Sequence, residues 1–417
     1  MNGAHSKLSL PALLCFSGLV ILSACSQADV PGEVRSATPF VNLGPDHPAV
    51  GFQNLIRKVG KWVGEGDPVG SELFISKDNK PIFRQSWGYL DRESRTPWAK
   101  DTICRIRSLS KPLLATAILL CHDRGLLALD DPIEAYLPEF DEERWGRFTI
   151  ERLLSETASL VYKGNLLPIG SYKSLAELVL DVAQRGPAPS GTNRKRHPGT
   201  NYNILGLVLE RVSGVPADEF MQTQIFKPLG MVNSYCDYRT KAPWRDRLAS
   251  TYERTASGLG FKRDLDNSRN SQPRYFAPFD GVFSTVSDYA RFIRFWLNRG
   301  RVKNTQLMSP TLIDRAHRVQ DDREERPGAH TYAWDLHGYR ELGSALPAPF
   351  GHKGSDESVV LVSPENDLIF IYFTQSRGGQ SARAFSAEVA EFLRFKRKQI
   401  APTDQENEEQ LIETTGH

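Results

Sequence analysis

Cys104-Arg105-Ile106-Arg107-Ser108-Leu109-Ser110-Lys111-Pro112-Leu113-Leu114-Ala115-Thr116-Ala117-Ile118-Leu119 places a serine and a lysine three residues apart at the head of an apolar run. Apolar residues recur at Leu113, Leu114, Ala117, Ile118 and Cys121, and Gly125 offers a stop, so a helix is predicted. Pro112 falls in its first turn, where proline is tolerated. Residues three apart share a helix face. Ser108 and Lys111 are therefore expected to point the same way at the helix start. A neutral lysine beside a serine hydroxyl takes its proton and makes a nucleophile. Taken alone, the spacing fits a capping serine and a solvated lysine just as well.

The stretches that follow narrow the reading. Gly125-Leu126-Leu127-Ala128-Leu129-Asp130-Asp131-Pro132-Ile133-Glu134-Ala135-Tyr136-Leu137-Pro138 comes next, then Phe148-Thr149-Ile150-Glu151-Arg152-Leu153-Leu154. Further on stand Asn201-Tyr202-Asn203-Ile204-Leu205-Gly206, Pro228-Leu229-Gly230-Met231, Gly281-Val282-Phe283-Ser284-Thr285 and Gly351-His352-Lys353-Gly354. In kind and order these resemble the serine beta-lactamase-like family: class C beta-lactamases, D-alanyl-D-alanine carboxypeptidases and related esterases. The resemblance spans roughly residues 50–395. It implies an α+β fold, an antiparallel sheet flanked by helices with a helical insertion, and an active site between the two parts.

The resemblance also assigns roles. Ser108 is the acylated nucleophile and Lys111 its partner. The family's Tyr-x-Asn element is replaced: His197 stands for the tyrosine and Gly199 for the asparagine. Histidine does acid–base work near neutral pH, so His197 is one candidate for the second proton-transfer group; Tyr202, one turn on, is the other. His352-Lys353-Gly354 has the His-x-Gly form of the esterase-like members, with His352 facing the substrate carboxylate or leaving group and Gly354 letting the backbone approach the acyl group. The oxyanion hole is expected from the backbone N–H groups of Ser108 and Ser355. Three further departures stand out. Arg107 replaces a small residue, and its charge either acts on Lys111 or faces away. Ser155-Glu156-Thr157-Ala158-Ser159-Leu160 stands where His-Thr-Ser-Gly-Leu is usual, and Asp280-Gly281 where two glycines are usual.

The rest of the chain supplies context. Its 417 residues, 40% hydrophobic, suffice for a large core, and a net charge of +2 argues against a nucleic-acid partner. Residues around 52–65 carry helical spacing. Residues 70–90 alternate around Lys77-Asp78-Asn79-Lys80 and predict a hairpin. Residues 128–290 read as mostly helical. Residues 359–373 read as two buried strands joined at Pro364-Glu365-Asn366-Asp367, and 382–398 as an amphipathic helix packing back. The hydrolase domain is thus placed at 51–398, with a polar tail over 399–417.

Lys7 and the apolar run Leu8–Leu22 read as a signal peptide over residues 1–24. Leu22-Ser23-Ala24-Cys25 resembles a lipoprotein cleavage site, which makes Cys25 a lipidation site and residues 25–50 a flexible tether. Of five cysteines, Cys104, Cys121 and Cys236 remain in the mature chain; a Cys104–Cys236 bridge is one pairing open to them. Neither these nor the nine histidines have metal-site spacing, and no cofactor is implied. The expectation is a lipid-anchored serine hydrolase of the bacterial cell envelope. Its acyl-enzyme would form on a small ester, amide or peptidoglycan-like D-amino-acid peptide. The alternative is a catalytically silent binding protein of the envelope.

Expressed in a lipoprotein-competent bacterium, the full chain should fractionate with membranes and Cys25→Ser should release or mislocalise it. An unmodified mature chain beginning elsewhere than Cys25 would refute the anchor.

Overall fold

The computed structural model describes residues 42–157, 169–187, 198–236, 243–258, 260–263, 275–318, 331–332, 334–335 and 349–400. Cys25, His197 and the 401–417 tail lie outside them.

The 70–90 alternation forms the predicted hairpin: β1 (Gly70–Lys77) and β2 (Lys80–Asp91), antiparallel with Lys77 opposite Lys80. Both turn residues, Asp78 and Asn79, are left-handed, at φ 49° and 58°. That matches the right-handed twist of the strands, and Asp and Asn tolerate the conformation well. β3 (Thr96–Pro97) continues that edge of the sheet. From far down the chain come β4 (Phe350–Lys353), β5 (Val359–Ser363) and β6 (Leu368–Thr374), with β5 and β6 turning at Pro364–Asn366. The order is β4-β5-β6-β1-β2-β3, every pairing antiparallel.

β1, β5 and β6 are covered on both faces, and successive side chains go to opposite cores. Leu73, Ile75, Val359, Leu361, Phe370 and Tyr372 pack with α1 (Gln53–Gly64) and the C-terminal helix Ser381–Ile400. Phe74, Val360, Val362, Ile369, Ile371 and Phe373 face the larger helical part. Lys58 on the first helix and Glu388 on the last form an ion pair of 2.5 Å across their contact.

On the other face, α2 (Ser110–Asp123) is buried on every side from Ser110 to Cys121. It packs against α3 (Pro198–Ser213), and its start lies beside Val286–Leu297, which carries Tyr289. Beyond Leu229 the middle of the chain departs from the helical expectation. Tyr252–Arg254 and Phe261–Arg263 are short strands joined to Ser376–Arg377, and Phe283–Ser284 pairs with Cys104–Arg105. Buried Tyr252 and Phe261 are anchored by neighbours distant in sequence, which local periodicity does not reveal. Cys104, Cys121 and Cys236 are buried thiols, and no bridge joins Cys104 to Cys236.

Phe370 is fully buried and meets Phe52 edge-on at 5.4 Å. Phe370→Ala should destabilise the protein by about 3–5 kcal/mol in urea unfolding. Val232→Ala, at a side chain 73% exposed, should stay within about 0.5 kcal/mol.

Candidate active site

The helix that begins at Ser110 is preceded by a single 3-10 turn, Arg107–Leu109, which carries half-buried Ser108. Its fixings come from the 282–289 segment. Ile106 donates its N–H to the Val282 carbonyl at 3.0 Å, and Val282 donates to Ser110 Oγ at 3.1 Å. Tyr289 donates its hydroxyl to the Leu109 carbonyl at 2.9 Å. The Ser108 hydroxyl makes no hydrogen bond with any described residue.

Arg107, next to Ser108, has φ 53°, a conformation that disfavours a long side chain by about 1–3 kcal/mol. Two carboxylates hold it. Its Nε donates to Asp356 at 2.5 Å and its Nη1 lies 3.5 Å from Asp280. Arg105 reaches the same Asp280 oxygen at 3.1 Å, and Arg377 reaches Asp356 at 3.1 Å. Arg107 is therefore spent on Asp356 and Asp280, the second of the two choices its charge left open. Two departures from the family pattern, Arg107 and Asp280, answer each other.

Lys111 shows the same logic. Its Nζ donates to Glu156 Oε1 at 2.6 Å, with side chains 7% and 12% exposed. Burial by itself would raise the Glu156 carboxyl. The Lys111 charge and hydrogen bond, helped by His352 and opposed by Asp335, hold it below the usual carboxylate range. Glu156 follows the helix Ile150–Leu154 and its cap Ser155 at φ 54°, a place where glycine or asparagine is usual.

Tyr202 lies against this pair. It is fully buried, its hydroxyl donates to the Leu154 carbonyl at 2.8 Å, and burial pushes its phenol well above its ordinary range. Its ring lies 5.3 Å from Lys111 Nζ, a cation–π contact. Asn201 reaches the Leu153 carbonyl at 3.5 Å. The first turns of α3 thus take up carbonyls at the end of the helix that presents Glu156.

β4 delivers the last residues. His352 Nδ1 lies 2.8 Å from Asp335 Oδ2, a contact that becomes an ion pair when the imidazole is protonated. Asp335 is fixed by mutual backbone bonds with Gly351, at 2.8 and 3.1 Å. Gly354 is required by space: a Cβ there would sit 2.6 Å from the Ile106 carbonyl oxygen. The close approach brings the turn containing exposed Ser355 against the residues just before Ser108. Lys353 pairs with Glu357 at 2.5 Å.

Ser108, Lys111, Tyr202, His352 and Gly354 thus come from α2, its leading turn, α3 and β4 to one region. Glu156 and Asp335 join them, and neither was assigned a role from sequence. The signal for Glu156 was its place in a departure from the family pattern; Asp335 carried none. A separate cavity of about 650 Å³ beside Trp296, Ile313, His317 and Pro364 contains none of these residues.

The beta-lactamase family profile matches residues 52–393. The chain belongs to the beta-lactamase family, a family of serine hydrolases. It is 31% identical to esterase EstB of Burkholderia gladioli over 200 residues, covering 44% of this chain and 50% of EstB. It is 21% identical over 357 residues to a putative D-alanyl-D-alanine carboxypeptidase of Escherichia coli K12, covering 76% of this chain and 81% of that protein. Among solved structures it resembles EstCE1, a hydrolase with promiscuous acyltransferase activity. The TM-score is 0.65 at 21% identity, over 79% of this chain and 96% of EstCE1. The fold is that of beta-lactamases and penicillin-binding proteins, as the sequence implied.

Asp356 is 1% exposed and serves two guanidinium groups. Asp356→Asn removes the closer carboxylate from buried Arg107, leaving it the 3.5 Å contact with Asp280, and should lower stability by about 1–3 kcal/mol in denaturant unfolding.

Proposed function

We propose that the protein is a lipid-anchored serine hydrolase that acts through an acyl-enzyme on Ser108, with a small neutral ester as the best-fitting substrate. The observation that carries the substrate class is electrostatic. The basic side chains of the described site each have a carboxylate of their own: Lys111 has Glu156 and His352 has Asp335. A carboxylate-bearing substrate gains little there, because its charge would compete with one already in place. A neutral ester has no charge to match. The partial similarity to esterase EstB and the His352-x-Gly354 form agree with this reading.

In the proposed reaction Ser108 Oγ attacks the ester carbonyl and loses its proton toward Lys111. The tetrahedral oxyanion takes hydrogen bonds from the backbone N–H groups of Ser108 and Ser355. Collapse breaks the bond to the alcohol, which leaves with a proton. Water then attacks the acyl-enzyme and releases the acid. His352 faces the leaving group, and His197, next to the start of α3, is the candidate donor of its proton. Cys25 supplies the membrane anchor and places the domain in the cell envelope.

A second reading, a silent relative that binds without turnover, is favoured by the same Lys111–Glu156 contact, since a lysine held as an ammonium is no base by itself. A fluorophosphonate probe separates the two. The hydrolase reading expects labelling of the wild type and none of Ser108→Ala. Against p-nitrophenyl butyrate, Ser108→Ala and Lys111→Ala should each lose most activity, and the double variant should be no worse than Ser108→Ala. His197→Ala should lose about 10²-fold. The ester should outrun a D-alanyl-D-alanine peptide in kcat/KM. Intact hydrolysis in both single variants would remove this site from consideration.

A further inference from the structure

A buried lysine–carboxylate contact beside the nucleophile is hard to reconcile with a lysine acting alone. Lys111 donates to Glu156 at 2.6 Å, and the two side chains are nearly shielded from water. In such surroundings opposite charges hold each other ionised. Lys111 as an ammonium has no lone pair for the Ser108 proton. Any use of Lys111 as a base must therefore include the carboxylate.

The carboxylate is also built into place at a conformational disadvantage. Glu156 has φ 54°, where most L-residues are disfavoured. Its backbone N–H donates to the Leu153 carbonyl at 3.2 Å. Ser155 before it bonds to the Glu151 carbonyl at 2.9 Å and to Thr157 Oγ1 at 2.9 Å. Tyr202 takes the Leu154 carbonyl and lays its ring by Lys111. Glycine at 156 would remove the backbone strain but also the Lys111 partner. A strained residue held by its surroundings and aimed at a motif lysine points to a use for that side chain.

Resting on the reading of Ser108 as nucleophile and Lys111 as its partner, we infer that Glu156 is the positioning residue that receives, through Lys111, the proton Ser108 gives up. The proton passes from Lys111 Nζ to Glu156 Oε1, which leaves a neutral amine and a neutral carboxyl. The Ser108 O–H proton then goes to that amine as Oγ bonds to the acyl carbon and the carbonyl π pair moves to oxygen. Lys111 is again an ammonium, carrying the serine proton, and Glu156 holds the proton that Lys111 passed on. When the tetrahedral species collapses, the C–O bond to the alcohol breaks and the leaving oxygen takes one proton from the site. Lys111 and Glu156 return to ammonium and carboxylate. No other reactant is needed.

The described groups facing Glu156 are Lys111 from α2, Tyr202 from α3, His352 from β4 and Asp335 beside β4. The two basic groups favour its ionised form and Asp335 opposes them, with a net shift downward. The sign of the pH dependence follows. The receiving carboxylate is present above its own pKa, so activity should hold across neutral pH and fall only when acid protonates Glu156 below the ordinary carboxylate range. With glutamine at 156 nothing internal takes the lysine proton. Lys111 must then lose it to water, and activity should climb with pH on the alkaline side.

The test uses the full chain and p-nitrophenyl butyrate from pH 4 to 10, on wild type, Glu156→Gln, Glu156→Asp and Ser108→Ala. Circular dichroism checks that each is folded. Glu156→Gln is expected to lose about 10²-fold or more in kcat at pH 7, with KM within about threefold. The loss should shrink by roughly tenfold per pH unit between 8 and 10. Glu156→Asp, which keeps the carboxylate, should recover part of the rate with a wild-type-shaped profile. A purely structural role predicts instead the same loss at every pH and no recovery in Glu156→Asp, and either result overturns the inference. So does a Glu156→Gln enzyme within threefold of wild type at pH 7. If that occurs while Ser108→Ala is dead, the inference fails alone. If Ser108→Ala keeps its turnover, the reading of the site fails and takes the inference with it.

Discussion

One constraint organises the site: α2 is buried on every side, so the polar groups at its start have no water to turn to. A charge or an unsatisfied backbone group in that position is expensive unless a partner is supplied. Each has one. Arg107 has Asp356 and Asp280, Lys111 has Glu156, Ser110 accepts from Val282, and the Leu109 carbonyl accepts from Tyr289. These partners come from widely separated segments. Together they fix where the turn carrying Ser108 stands between the sheet and the helical part.

The same constraint explains why the departures from the family pattern are not scattered. Arg107 and Asp280 are each unusual and touch each other. Glu156 lies in an unusual stretch and touches the lysine of the motif. A large cation introduced beside a buried helix start is tolerated only if a carboxylate arrives with it. Tyr202 stands against this pair. Its ring lies by Lys111, and its hydroxyl is committed to the helix end that carries Glu156.

Charge pairing also sets the character of the site. His352 stands against Asp335, Lys353 against Glu357, and Lys111 against Glu156. Basic side chains that each have their own carboxylate present less net attraction to an anionic substrate than unpaired ones would. Gly354 contributes through absence of a side chain, since only the bare backbone fits against Ile106.

Elements whose signals are local were legible in the chain. The Asp78-Asn79 turn, the period-two alternation of 70–90, the two buried strands of 359–373 joined at Pro364-Glu365-Asn366-Asp367, the run after Lys111 and the terminal helix all follow from spacing and turn chemistry within a few residues. Ordered motifs were enough for the family and its fold. Which charges meet depends on how distant segments pack. Lys111 and Glu156 are 45 residues apart, and Arg107 and Asp356 are 249 apart. No periodicity encodes such a meeting. The short strands at Tyr252 and Phe261 were hidden for the same reason, because their partner at Ser376–Arg377 comes from the far end of the chain. Local spacing specifies an element, whereas the ion pairs of a buried site depend on how the elements pack.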